Sequence, residues 1–343
     1  MTETTLALVG NAKAGTVSVL RLGEGSLKPL ADSTIGVGTG TFAVDAARDL
    51  VFCATKEPEP AVVTLALDRK AGTLTEVERR PVPDALAYLT LTRDGSLLLG
   101  ASYHGGWGVA WPVDGEGTLG EETSRVEHNN LHCVVTDSAG AYAYFVALGD
   151  DLVAQVAIGD DGVLTPLDPP TVAAPAGSGP RHLVLAANEQ SAYLVTEFSG
   201  EVIRLDRDAA TGTLSVAESV SIVDPGAGLT HSRFGADPLA EHLIWGADVH
   251  VAGFGDYLLA TERTASTVAV VKLDPEGRLG SVIGLVGTVA QPRGFAVAPD
   301  ERQVVVAGEG SGAVALYALS EDGELTPEDR RDTGAGANWV RFA

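Results

Sequence analysis

One signature recurs along this chain and constrains its fold more than any other feature. An alternating apolar run leads into a polar turn, and the turn closes on Gly-x-Leu, which opens another run. The first copy, VSVLRLGEGSL, ends at Leu27. Six more end at Leu74, Leu119, Leu164, Leu214, Leu279 and Leu325, with gaps of 47, 45, 45, 50, 65 and 46 residues. A second signature precedes the hairpins at constant phase: two apolar runs around a turn, as in LTLTRDGSLLLGA, RHLVLAANEQSAYLV and GFAVAPDERQVVVA. Alternation and short apolar runs bounded by turn residues are strand signals, so each repeat carries four short strands. Four strands recurring every 40–50 residues or so are the pattern of a propeller blade.

The chain is therefore expected to be all-β: a seven-bladed β-propeller with four antiparallel strands per blade, one domain over residues 1–343. One copy of the second signature is split between the termini. Trp339–Ala343 supplies its first strand and Thr5–Val9 its second. The ring is then closed by pairing of the N- and C-terminal strands, which hides edges that would otherwise template aggregation. A solenoid fits less well, because neither end carries an atypical capping repeat. The long fifth gap holds an insertion, residues 224–248, rich in Gly, Pro and Asp and read as a loop. It lies on the face discussed below, placed to act as a lid or as a surface elaboration.

Composition narrows the partners. With 46 acidic against 23 basic residues the formal charge is −23, which repels nucleic acid and anionic membranes. No apolar stretch approaches the ~20 residues of a membrane span. Cys53 and Cys133 sit in apolar runs and read as small buried hydrophobes, without CxxC or zinc spacing. MTETTLALVGNA lacks the basic start and long apolar core of a signal peptide, so a cytoplasmic location is expected.

Against this acidic background, clusters of Arg and His stand out. In the stretch 179–200, GPRHLVLAANEQSAYLVTEFSG, a hairpin brings Arg181 and His182, at the start of one strand, beside Glu197 at the end of the next. The equivalent phases of the other repeats hold Tyr88, His132, His250, Arg293 and Trp339 ahead of the first strand. Asn11, Lys56, Tyr103 with His104, Asp150, Glu262 with Arg263, and Glu309 follow the second. Five of the seven histidines (His104, His132, His182, His231 and His250) thus fall on one face with Arg181, Arg263 and Arg293. That predicts a cationic funnel suited to a small anionic ligand. The donor set does not suit Ca²⁺, which takes carboxylates and amides, and nearby arginines oppose zinc; no metal or cofactor is expected. No Gly-x-Ser-x-Gly elbow supplies a nucleophilic serine.

The segments GPRHLVLAANEQSAYLVTE, IWGADVHVAGFGDYLLATERTASTVAVV, QPRGFAVAPDERQVVVAGEGSGAVALY and GANWV resemble the seven-bladed lactonase family, which includes 6-phosphogluconolactonases and carboxymuconate-lactonising enzymes. SYHGGWGVAW and LHCVVTDSAGAYAYFVALGDD resemble its earlier blades, and the IWGADVH and ERTAS blocks bring the chain closer to the phosphogluconolactonase branch. The resemblance implies catalytic or substrate-contacting roles for His132, Arg181, Glu197 and Arg263, and substrate binding by His182, His250, Arg293 and His104. After Gly149-Asp150-Asp151 the family often carries an arginine where this chain has Leu152. The expected activity is opening of an anionic sugar lactone, 6-phospho-glucono-δ-lactone, by general-base activation of water. Either Glu197 or His132 would serve as base, and arginines would meet the developing oxyanion. A carboxymuconate cycloisomerase and a non-enzymatic binding propeller are the alternatives.

Overall fold

The computed structural model describes residues 5–343. These form 28 strands in seven four-stranded sheets, each antiparallel throughout. The innermost strands are Ala337–Phe342, Thr41–Asp45, Tyr88–Leu91, Leu131–Thr136, Pro180–Leu185, Gly246–Ala252 and Pro292–Val297, in blades one to seven in that order. Each packs against its neighbours around the ring. Blade one joins the two chain ends: Ala337–Phe342 pairs with Leu6–Asn11, with Val9 opposite Val340 and Ala7 opposite Phe342. The predicted closure is therefore observed, one or two residues offset from the expected bounds.

The repeat signature has a local cause. The glycine of every Gly-x-Leu copy, from Gly25 to Gly323, adopts a positive φ between 62° and 85°, which a side chain would resist. The leucine two residues on turns inward; Leu27, Leu74, Leu119, Leu164, Leu214 and Leu325 are all buried. Its backbone N–H also reaches the adjacent blade. Leu27 donates to Asp329 (2.8 Å), Leu74 to Ser33 (2.9 Å), Leu119 to Glu78 (3.0 Å) and Leu279 to Glu218 (2.9 Å). The motif thus forms a hairpin and fastens one blade to the next.

Second strands such as Leu50–Thr55, Leu97–Ser102, Ser191–Thr196 and Tyr257–Glu262 are buried along their whole length, because blades cover both faces. That explains their continuous apolar runs, each buried Val or Leu contributing about 1.5–3 kcal/mol. Fourth strands such as Ser26–Thr34 and Leu325–Asp332 are largely exposed. Between blades four and five, Arg207 donates to Asp137 (2.8 Å) and to the Tyr144 hydroxyl (2.7 Å), a buried clip across the interface.

The insertion contains a 3₁₀ turn, Pro225–Ala227, and one short α-helix, Pro238–Glu241, capped by the Asp237 side chain. Thr230 and Leu243 form an isolated bridge at its base. Its last residues, 246–248, belong to the inner strand of blade six, which begins four residues before the expected start at His250. Among the described residues no helix is long and apolar enough to cross a membrane.

Candidate active site

Five of the seven inner strands carry a register break just after entering the ring. It falls between Leu131 and Cys133, Pro180 and His182, Gly246 and Val249, and Pro292 and Gly294; in blade one it lies opposite the Gly10–Asn11 step. A bulge sets two residues against one and re-aims the extra side chain. The residues at these breaks are His132, Arg181, Ala247 with Asp248, Arg293 and Asn338. Backbone irregularity, repeated blade after blade, thus brings His132, Arg293 and Asn338 to the cavity wall and buries Arg181 and Asp248 behind it.

The mouth holds a cavity of about 390 Å³ lined by His132, Glu197, Arg263, Arg293 and His104 from the expected set. Lys56, Tyr103, Trp245, Glu309 and Asn338 complete the polar and aromatic wall. Trp245 was not expected; the only sequence signal for it was its place in the IWGADVH block.

Glu197 is the centre of the arrangement. Its Oε2 accepts from Arg181 Nε at 2.9 Å and lies 2.8 Å from an Arg263 terminal nitrogen. Oε1 accepts a longer bond from the Trp245 indole (3.3 Å). The indole in turn lies under the Arg263 guanidinium, 3.8 Å from its carbon. Arg263 donates to Gly246 O at 3.0 Å, and Glu262 shapes the same corner by accepting from the backbone N–H groups of Trp245 (2.7 Å), Thr264 (3.1 Å) and Ala265 (2.6 Å). Arg293 is paired with Glu309 across 3.3 Å.

Burial raises the Glu197 carboxyl, but Arg263, Arg181 and Arg293 outweigh it, and the group ends below the usual carboxylate range. Burial likewise lowers Arg263 to about 9, against the partial support of Glu197. His132 is held well below 6.5, first by burial and then by the charges of Arg181, His182, Arg293 and Arg263, so it is neutral at neutral pH. Its Nδ1 is buried without a hydrogen-bond partner among the described residues, which leaves Nε2 to meet a ligand.

Not every expected residue reaches the cavity. Arg181 is only 1% exposed and stands behind Glu197, its other end on Ala247 O and the His182 ring. His182 belongs to a plug that closes the channel beneath the cavity. Its ring lies 5.2 Å from Tyr88, 5.8 Å from Trp339 and 5.1 Å from His132, and its Nδ1 is 2.7 Å from Asp248 Oδ1. Burial pushes it down to about 3. A substrate-binding position for His182 is thus corrected to a plug position, because Tyr88, His132, Trp339 and Asp248 from the other inner strands bury it. His250 is corrected too: it packs edge-on against Phe295 at 4.6 Å and faces a separate hollow at the far end of the channel. The early start of its strand puts Asp248 in the plug beside His182 and carries His250 two residues deeper. His231 lies beside a neighbouring hollow with Phe198 and Phe234, while from the insertion Trp245 lines the main cavity. Leu152 opens the third strand of its blade opposite Ala147, away from the cavity lining. Among the described residues no group of three or more His, Cys, Asp or Glu side chains is placed to hold a metal ion.

Comparison with known proteins agrees with this fold. The family model described as "Lactonase, 7-bladed beta-propeller" matches residues 4–342. The chain is 31% identical over 285 residues to a 6-phosphogluconolactonase of Sodalis glossinidius, covering 82% of each protein. It is 27% identical, at the same coverage, to a 6-phosphogluconolactonase of Pectobacterium atrosepticum. Among solved structures, a periplasmic gluconolactonase of Pseudomonas aeruginosa superposes with a TM-score of 0.87 at 22% identity, covering 99% of both chains. A protein from Lactobacillus plantarum superposes with a TM-score of 0.88 at 22% identity, covering 99% of this chain and all of its own. At that identity the structures speak to the fold alone.

Proposed function

The chain belongs to the seven-bladed β-propeller lactonase family, and from that premise we propose that it hydrolyses 6-phospho-glucono-δ-lactone to 6-phosphogluconate. The observation that carries the reading is Glu197 clamped between Arg181 and Arg263 on the wall of a cavity that also presents a neutral His132.

A carboxylate whose two oxygens are already taken by Arg181, Arg263 and the Trp245 indole has no free oxygen to offer a water; it is well suited to fix those cations. Glu197 is accordingly the counter-ion that orients Arg263, and the neutral imidazole of His132 takes the proton. Water, deprotonated by His132 Nε2, adds to the lactone carbonyl carbon. The charge growing on the carbonyl oxygen meets the Arg263 guanidinium, already fixed and partly desolvated. As the tetrahedral species collapses, the bond from this carbon to the ring oxygen breaks. The imidazolium returns its proton to that oxygen, and the new carboxylic acid ionises to bulk water. Lys56, Arg263 and Arg293 set more positive than negative charge around the substrate, as an anionic lactone needs.

Proton release from freshly prepared 6-phospho-glucono-δ-lactone, followed with a weakly buffered indicator, tests the reading. A rate no greater than spontaneous hydrolysis at micromolar protein would sink it. We also place the protein in the cytoplasm, on the support of two buried free thiols, Cys53 and Cys133; recovery from a periplasmic extract of the native host would displace that placement.

A further inference from the structure

One cation of the cavity contributes its charge above without a group of the substrate assigned to it and without a carboxylate partner. Lys56 follows the second strand of blade two, and Glu197 follows that of blade five, three blades further round a ring of seven. The two therefore line opposite walls of the same cavity. Arg181 and Arg263 share Glu197, and Arg293 pairs with Glu309, whereas no carboxylate among the described residues lies within ion-pair distance of Lys56. Lys56 is exposed, and among the cations lining the cavity it is the one without a carboxylate partner.

Its side chain is also guided. The backbone N–H of Lys56 donates to Val37 O (2.9 Å), and the stem lies across Gly38. A Cβ on Gly38 would come within 2.6 Å of Lys56 Cβ and Cγ and 3.0 Å of Cδ, and Gly38 has φ +82°. Only a glycine leaves the stem this path. Laying the stem on backbone limits the directions its ammonium can take, so less freedom is lost when an anion binds.

We propose that Lys56 is the residue that reads the phosphomonoester of the substrate, from the wall facing Glu197. A phosphate dianion gains most from a cation whose charge is not already neutralised, and Lys56 is the lining cation that fits. The lactone end is then left to His132 and Arg263. This assignment rests on the lactonase reading, and it makes Lys56 a specificity residue that discriminates phosphorylated from plain sugar lactones.

The test is the ratio of kcat/KM for 6-phospho-glucono-δ-lactone to that for glucono-δ-lactone. Lys56→Met should lower that ratio about 10- to 100-fold, chiefly through KM for the phosphorylated substrate. Lys56→Arg should stay within a few-fold of wild type. Lys70→Met, on the outer hairpin of the same blade, makes the same change in net charge and should leave the ratio alone. Equal ratios in Lys56→Met and Lys70→Met would overturn the assignment. Should the wild-type protein open neither lactone, the hydrolase reading fails by itself, and calorimetry with 6-phosphogluconate as probe decides about Lys56. At least tenfold weaker binding by Lys56→Met upholds the anion site; equal affinity, or no binding by the wild type, overturns it.

Discussion

Asp248 Oδ1 lies 2.7 Å from Nδ1 of His182, and that pair seals the channel under the cavity floor. The second oxygen of Asp248 accepts from the Phe295 backbone N–H (3.1 Å) and faces His250 Nε2 at 3.3 Å. A single buried carboxylate thus ties blades five, six and seven together. The imidazole it holds contacts Arg181, which holds Glu197. The plug and the site are one hydrogen-bonded system.

Asp248→Asn keeps the shape but removes the charge on which two histidines and a backbone N–H converge. The expected cost is about 2–4 kcal/mol of stability, because polar partners are left buried with a poorer acceptor. Urea unfolding at neutral pH measures it. A midpoint unchanged from wild type would show that the plug does not depend on this carboxylate.

Glu197→Gln leaves two buried guanidiniums without their counter-ion. Turnover of the lactone should fall about 10²- to 10³-fold, the scale seen when a preorganised electrostatic group is lost. Steady-state kinetics on folded variant checks this, and full activity would remove Glu197 from the working site.

Arg263→Lys tests geometry at constant charge. An ammonium cannot stack on Trp245, reach Glu197 and bond Gly246 O together, as the guanidinium does. kcat/KM should drop about 10- to 100-fold while near-UV circular dichroism stays native. Wild-type kinetics in the lysine variant would mean that a point charge suffices.

Stability should depend on pH through His132 and His182, both depressed in the folded state, chiefly by burial. Above pH ~6.5 both states carry neutral imidazoles and nothing is lost. Below it the unfolded chain takes up protons that the folded one refuses, so stability falls as pH falls. The slope is about 1.4 kcal/mol per pH unit for each histidine, continuing for His182 toward pH 3. Asp248 and Glu197, held low, add nothing to this window until their unfolded forms protonate near pH 4. Urea titrations at pH 7 and pH 5 would show a clear loss; equal stabilities would contradict neutral burial of the two rings.

Much of this protein is written in local sequence. The Gly-x-Leu period determines blade number and hairpin position, because each glycine must take a positive φ and six of the seven leucines turn fully inward, and both demands are met within a few residues. The split repeat at the termini likewise determines ring closure. The pairing of Arg181 with Glu197 was legible too, since both lie on one hairpin.

What the tertiary structure decided is where each polar side chain points. A strand residue reverses its direction at every step, so one bulged residue changes which groups face the cavity. The bulge leaves no mark in an apolar run buried on both faces. For that reason the sequence assigned His250 to the mouth and overlooked Asp248, which only the register of its strand against Tyr257–Glu262 reveals. The meeting of Glu197 with Arg263 and Trp245, and the facing of Lys56 across the cavity, follow from the closure of seven blades into a ring. Residues far apart in the chain become neighbours there through the packing of whole blades, which no local pattern encodes.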